Sequence, residues 1–317
     1  MAIVLVLILG ALLVAWAAPR LLEYRLHAGA DPQALLVMWI ALVGSTLLSL
    51  AAAASLMLLP GHGPARHVVA LVDHCWGAIS HGSVPRIDEV AGLLSVLFVA
   101  VVVARCGGRV RRHAQQRRTL HRKHLDLLRI LTGGGATPGS TLWLDVPHPM
   151  AYSVAGRPAL IVASEGLRRC LPMEEVAAVL EHERAHLRGR HHLMVALAEA
   201  LAAALPWLPL TRRSPHLVRA LVEVSADSVA ARSHGAGAVR SALLGMSADL
   251  TPAHGLGMAR DCTALRLDLL SSPRPVRSRL RRSLRSGLAG TIAALIPALA
   301  STAFFVAGIL VSCPFLG

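Results

Sequence analysis

The sequence predicts an α-helical membrane protein with four transmembrane helices and an α+β domain on the cytoplasmic side. The 317-residue chain is 54% hydrophobic with a mean hydropathy of +0.56, yet it carries 32 Lys+Arg against 18 Asp+Glu, a formal net charge of +14. A soluble domain rarely combines the two, whereas a multi-span protein with a basic cytoplasmic region does. The basic residues bunch beside apolar runs and only 3% of the chain is aromatic. Membrane topology therefore accounts for the charge better than a nucleic-acid surface, and no direct nucleic-acid binding is expected.

Taken in order, residues 2–18 and 35–59 are uncharged runs close to the ~20 apolar residues that a bilayer requires. The first ends in Ala15-Trp16-Ala17, which resembles a signal-peptidase site, but no Lys or Arg precedes it. A retained span is the expectation. The third span, about 88–105, has a shorter apolar core that Arg105 can extend by snorkelling. The fourth falls within 287–317, a stretch without charge that ends in a short tail.

Orientation follows from arginine. Arg105, Arg109, Arg111, Arg112, Arg117, Arg118 and Arg122 follow the third span, and Arg274, Arg277, Arg279, Arg281, Arg282 and Arg285 precede the fourth. The loops 19–34 and 60–88 do not discriminate, since each holds two arginines. By the positive-inside rule residues 106–286 face the cytoplasm and both termini lie outside the inner membrane. The expected organisation is a membrane domain over 1–105, a cytoplasmic domain over 106–286, and a last span with a short external tail over 287–317.

Within the cytoplasmic region, residues 110–131 read as a basic amphipathic helix near the anionic leaflet. A glycine-rich loop covers 133–139; it is no phosphate cradle, because no Lys-Ser/Thr follows it. Residues 141–146, 151–155 and 158–164 read as short strands. Pro172, with Glu174 and Glu175 behind it, opens a helix-compatible run from Met173 to Leu205. The apolar stretch 193–210 is long enough to dip into a bilayer but reads better as the packed continuation of that helix, ending at Pro206.

That run contains His182-Glu183-Arg184-Ala185-His186. On a helix, positions i and i+4 share a face, so both imidazoles can grip one Zn²⁺ while Glu183 acts as general base toward a water held there. Downstream, Glu223 and Asp227 repeat the i, i+4 spacing in a second helical segment. Two solvated acids would also fit, but the segment is otherwise rich in Val, Leu and Ala, which favours a third ligand and an acid behind it. The motifs together imply a zinc metallopeptidase. An extended substrate would add to the edge strand 151–155. His191, His192, Arg232 and His234 are the candidates for stabilising an oxyanion, and nothing in the sequence separates them.

The order of three spans, a basic linker, a short sheet, the His-Glu-x-x-His helix, the Glu-x-x-x-Asp helix and a last span resembles the BlaR/MecR membrane metallopeptidases. The stretch 152–187 (YSVAGRPALIVASEGLRRCLPMEEVAAVLEHERAHL) resembles that family's signature region. The resemblance implies a gluzincin-type site, with His182, His186 and Glu223 as zinc ligands, Glu183 as base and Asp227 orienting a ligand histidine. It also implies a partner, a BlaI/MecI-type repressor, as substrate. Two departures stand out. No penicillin-binding domain of the kind that follows the last span in well-known members is expected from the short tail after 311, and the acidic residue usual after the zinc helix is replaced by Arg190-His191-His192. A housekeeping protease of the HtpX kind is the alternative, and a scaffold with a vestigial site is disfavoured because every core zinc position is filled. Self-cleavage within the basic linker 274–285 is a further expectation. His67, His74 and His81 read as ordinary loop histidines. Cys75 and Cys313 would both lie outside and could pair.

Overall fold

The computed structural model describes residues 2–58, 141–155, 159–248 and 257–271, with scattered helical positions between 97 and 126 and at 288. The third and fourth spans, the amphipathic stretch 110–131, the glycine loop, the linker 274–285, the histidines of 60–88 and the Cys75–Cys313 pair lie wholly or largely outside the described residues.

Two apolar helices come first, α1 (Ala2–His27) and α2 (Pro32–Leu58). Both are long and apolar enough to cross a membrane, over Val6–His27 and Pro32–Ala53. The expected span 2–18 and loop 19–34 are corrected here. The helix runs on through Pro19 to His27, and the turn is only a few residues long. Local chemistry explains this. Arg20 folds back onto the helix, donating to the Trp16 carbonyl at 3.1 Å with its guanidinium 4.0 Å over the indole. Gly29 takes φ 74°, Gly29 and Ala30 donate back to Leu26 and Arg25, and Asp31 caps the amide of Gln33 ahead of Pro32. This is a glycine stop followed by an acidic N-cap and a proline start.

The sheet has three strands in the order β1-β3-β2: β1 (Thr141–Leu144), β2 (Ala151–Val154) and β3 (Leu160–Ser164). The strands are slightly shorter than the 141–146, 151–155 and 158–164 expected. Buried β3 is central, parallel to β1 and antiparallel to β2, with Ser153 opposite Ile161. The 151–155 segment thus forms an edge, as read from the sequence. Ser164 ties the sheet to the next element: its hydroxyl donates to the His148 carbonyl and accepts from the Met150 and Leu167 amides. It thereby caps the short helix α3 (Glu165–Cys170).

The motif helix α4 spans Met173–Arg188, with Pro172 just before it rather than inside it. The single run expected from Met173 to Leu205 is broken. Gly189 ends α4, Arg190 adopts φ 49°, and a new helix α5 (His191–Ala204) leaves in another direction. Glycine is required at 189 by space: a Cβ there would sit 2.4 Å from the His191 ring. After Pro206-Trp207 comes α6 (Pro209–Ala248), kinked at Gly235, and then α7 (Gly257–Ser271). One large apolar cluster joins α1, α2, α5, α6 and α7, and inside it the Trp39 indole donates to the Ser214 hydroxyl at 2.7 Å. A smaller one joins the sheet, α3, α4 and the end of α6.

Candidate metal centre

Helices α4 and α6 pack against each other and present their i, i+4 pairs across the contact. His182 Nε2 and His186 Nε2 are 3.0 Å apart, and each stands 3.5 Å from a Glu223 carboxylate oxygen. The three ligand atoms lie within 4.8 Å of one another. Two imidazoles and a carboxylate at such mutual distances make a donor set that could hold a metal ion and suit zinc. The structure therefore brings together the residues that the sequence singled out.

The fourth acid of the pattern lies behind them. Asp227, 3% exposed, places Oδ1 2.9 Å from His182 Nδ1, the carboxylate–histidine arrangement that fixes a ligand ring's orientation. Burial alone would lower the His182 pKa, but hydrogen bonds and charge from Asp227 and Glu223 hold it up to about 9. Burial would likewise raise both acids. The neighbouring His182 and Arg266 outweigh it and bring Glu223 and Asp227 each down to about 2. Burial depresses His186 to about 4, so it stays a neutral donor at physiological pH. A cation entering the cluster must displace the His182 proton.

Glu183 lies one residue on from His182 and faces the sheet. Its carboxyl is pushed above the usual range by burial, against the charge of His182 and hydrogen bonds from the hydroxyl and backbone of Ser153. A carboxylate raised toward neutrality is suited to accept a proton and return it. Because Ser153 belongs to β2, the edge strand and the candidate base are held in one geometry.

One residue of the site went unread in the sequence, and a second was read in another role. Arg266 of α7 grips Asp227 through Nε at 2.7 Å and Nη2 at 2.8 Å, and reaches Glu223 Oε2 at 3.1 Å. The available signal was an arginine between Leu265 and Leu269 on a half-apolar helix, a position that calls for a buried acid. His191 was read as a candidate for the oxyanion. Instead it is 5% exposed, its Nδ1 3.1 Å from His186 Nδ1. It occupies the post-motif position where an acid was expected and supports the second histidine ring. His192 and Arg232 are exposed and His234 sits beside the Gly235 kink.

No solved structure matches this chain. Residues 114–217, about a third of the chain, match the model of peptidase family M48. The match includes the whole of α4 and α5 and stops short of Glu223. Members of that family are zinc-dependent peptidases, so the matched region is similar to a metallopeptidase and carries, in His182-Glu183-Arg184-Ala185-His186, the residues from which such a centre is built.

Proposed function

We propose that this protein is a membrane-embedded zinc metalloendopeptidase whose active site faces the cytosol. The observation that carries the reading is the convergence of His182, His186 and Glu223 within 4.8 Å, with Glu183 on the helix that carries the two histidines. His182, His186 and Glu223 would hold the zinc, and Asp227 and His191 would orient the two rings. Zinc bound there supplies a Lewis acid and makes water a nucleophile near neutral pH. Glu183 accepts the water's proton and delivers it to the departing amine. An extended peptide adds to the outer edge of β2, which carries no strand among the described residues, and strand addition presents its carbonyl beside α4.

The arginine clusters at the two ends of residues 106–286 support a cytoplasmic domain between the third and fourth spans, with both termini outside. The substrate reading with the most specific consequence is a BlaI/MecI-type repressor, cut during a stress or antibiotic response. The alternative is HtpX-like quality control of membrane proteins, and the match to peptidase family M48 is compatible with both.

Metal analysis and cleavage assays test the chemistry. The purified protein should hold about one zinc, and His186→Ala or Glu223→Ala should lose it. Glu183→Gln should keep the metal and abolish cleavage; normal turnover in that variant would refute the mechanism. Substrate class is read in cells by comparing repressor length and target transcription in wild type and Glu183→Ala under inducing stress. Equal repressor processing in both leaves quality control as the function.

A further inference from the structure

The α5–α6 hairpin shares its apolar core with the two candidate spans: Ala204, Leu208 and Leu221 lie in one buried cluster with Leu22, Trp39 and Leu42. Its outer face is open. Leu193 and Leu197, one turn apart on α5, are 54% and 48% exposed, and Trp207 at the turn is 57% exposed. α6 packs against both candidate spans and α5 packs against α6, so an apolar outer face on this hairpin, beside helices that cross a bilayer, is a lipid-facing surface.

Two further observations set its depth. Arg109, in the basic cluster that follows the third apolar run, donates to the Ala203 carbonyl at 3.0 Å. The end of α5 is thus level with residues that the positive-inside rule places at the lipid headgroups. Glu199, the one charge between residues 193 and 210, is 12% exposed and ion-paired with Arg219, so no unpaired charge interrupts the apolar face. An exposed tryptophan beside headgroup-level arginine is the usual composition of a membrane interface.

We propose that the α5–α6 turn is seated in the headgroup–acyl boundary of the cytoplasmic leaflet beside α1 and α2, with Trp207 at its tip and Leu193 and Leu197 facing lipid. The proposal rests on the membrane reading of α1 and α2 and is independent of catalysis. It also fixes where the candidate centre works. Leu193 is two residues from His191, the first residue of α5, whose ring lies beside His186. The metal cluster therefore stands close to the membrane surface, within reach of chain segments near the bilayer.

The test uses the full-length protein in phosphatidylethanolamine/phosphatidylglycerol vesicles, with its five native cysteines changed to serine. Nitroxides are placed by Leu48→Cys, Met173→Cys, Leu197→Cys and Trp207→Cys, and the zinc content of each chain is measured. Positions 48, 197 and 207 should be relaxed more by oxygen than by a water-soluble nickel chelate, and position 173, on the exposed start of α4, should show the reverse. Position 48 in lipid with 197 and 207 as nickel-accessible as 173 overturns the proposal while leaving the spans in place. Water access at position 48 removes both. Zinc loss in these variants reports on the centre alone, keeping that reading separate. Should Trp207→Cys misfold, brominated-chain lipids decide the matter: they should quench the wild type more than Trp207→Phe, and equal quenching overturns the proposal.

Discussion

Replacing Arg266 by methionine removes the cation that ties α7 to the candidate centre. Its guanidinium makes two short bonds to Asp227 and one to Glu223, with 16% of the side chain exposed. In the metal-free protein the substitution leaves two acids facing a single protonated histidine. Asp227 is 3% exposed, so water cannot substitute for the lost partner. Removing one member of a buried pair costs about 3–5 kcal/mol. For a domain of 150–250 residues at about 2–4 °C per kcal/mol, the midpoint of thermal unfolding should fall by roughly 6–20 °C. The assay is thermal unfolding in detergent with a chelator present, beside Arg169→Met as control. The Arg169–Asp145 pair is exposed at 66% and 91% with a 3.6 Å separation, and such a pair is worth at most about 1 kcal/mol. Arg266→Lys keeps charge without the two-pronged geometry and should fall between them. A loss at Arg266→Met no larger than at Arg169→Met would refute the idea that this arginine compensates the buried acids.

Because Asp227 and Glu223 hold His182 near 9, zinc must displace a proton at neutral pH. Its apparent affinity should rise about tenfold from pH 7 to 8, and competition with a chelator that showed a flat profile would count against this. For the metal-free fold the sign is opposite: the raised His182 pKa stabilises fully below the unfolded value of 6.5 and is lost as pH climbs through about 9. Gly189→Ala would drive a Cβ to 2.4 Å from the His191 ring and displace it from His186. Zinc affinity should drop by roughly 10–100-fold, and unchanged affinity would show that His191 does not position the ligand. Ser164→Ala orphans the buried Leu167 amide and leaves the part-buried Met150 amide and His148 carbonyl without this partner, and should lower stability in denaturant titration by about 2 kcal/mol. A change under 1 kcal/mol would mean that these groups find other partners.

The sequence by itself determined the parts whose signal is local. Zinc-binding imidazoles on one helix need only i, i+4 spacing, and Glu223 and Asp227 repeat that spacing, so both pairs were legible before any contact was known. The strand at 151–155 and the first two apolar helices followed from composition and alternation, apart from the nine residues by which α1 runs on and the three by which α2 starts early. That error is local too: Pro19 and Arg20 read as a helix end, but the arginine finds its partners on Trp16 of the same helix.

Tertiary structure decided what depends on partners distant in sequence. Helical periodicity continues across Gly189 and Arg190, so only the demand that His191 reach His186 shows the break between α4 and α5. Arg266 is 39 residues from Asp227, and no spacing rule links a lone arginine on α7 to acids on α6. The apolar run 193–210 was ambiguous for the same reason. Hydrophobicity says that a surface will be buried but not by what, and only the packing of α5 against α6, and of α6 against α1 and α2, shows which face meets protein and which is left open.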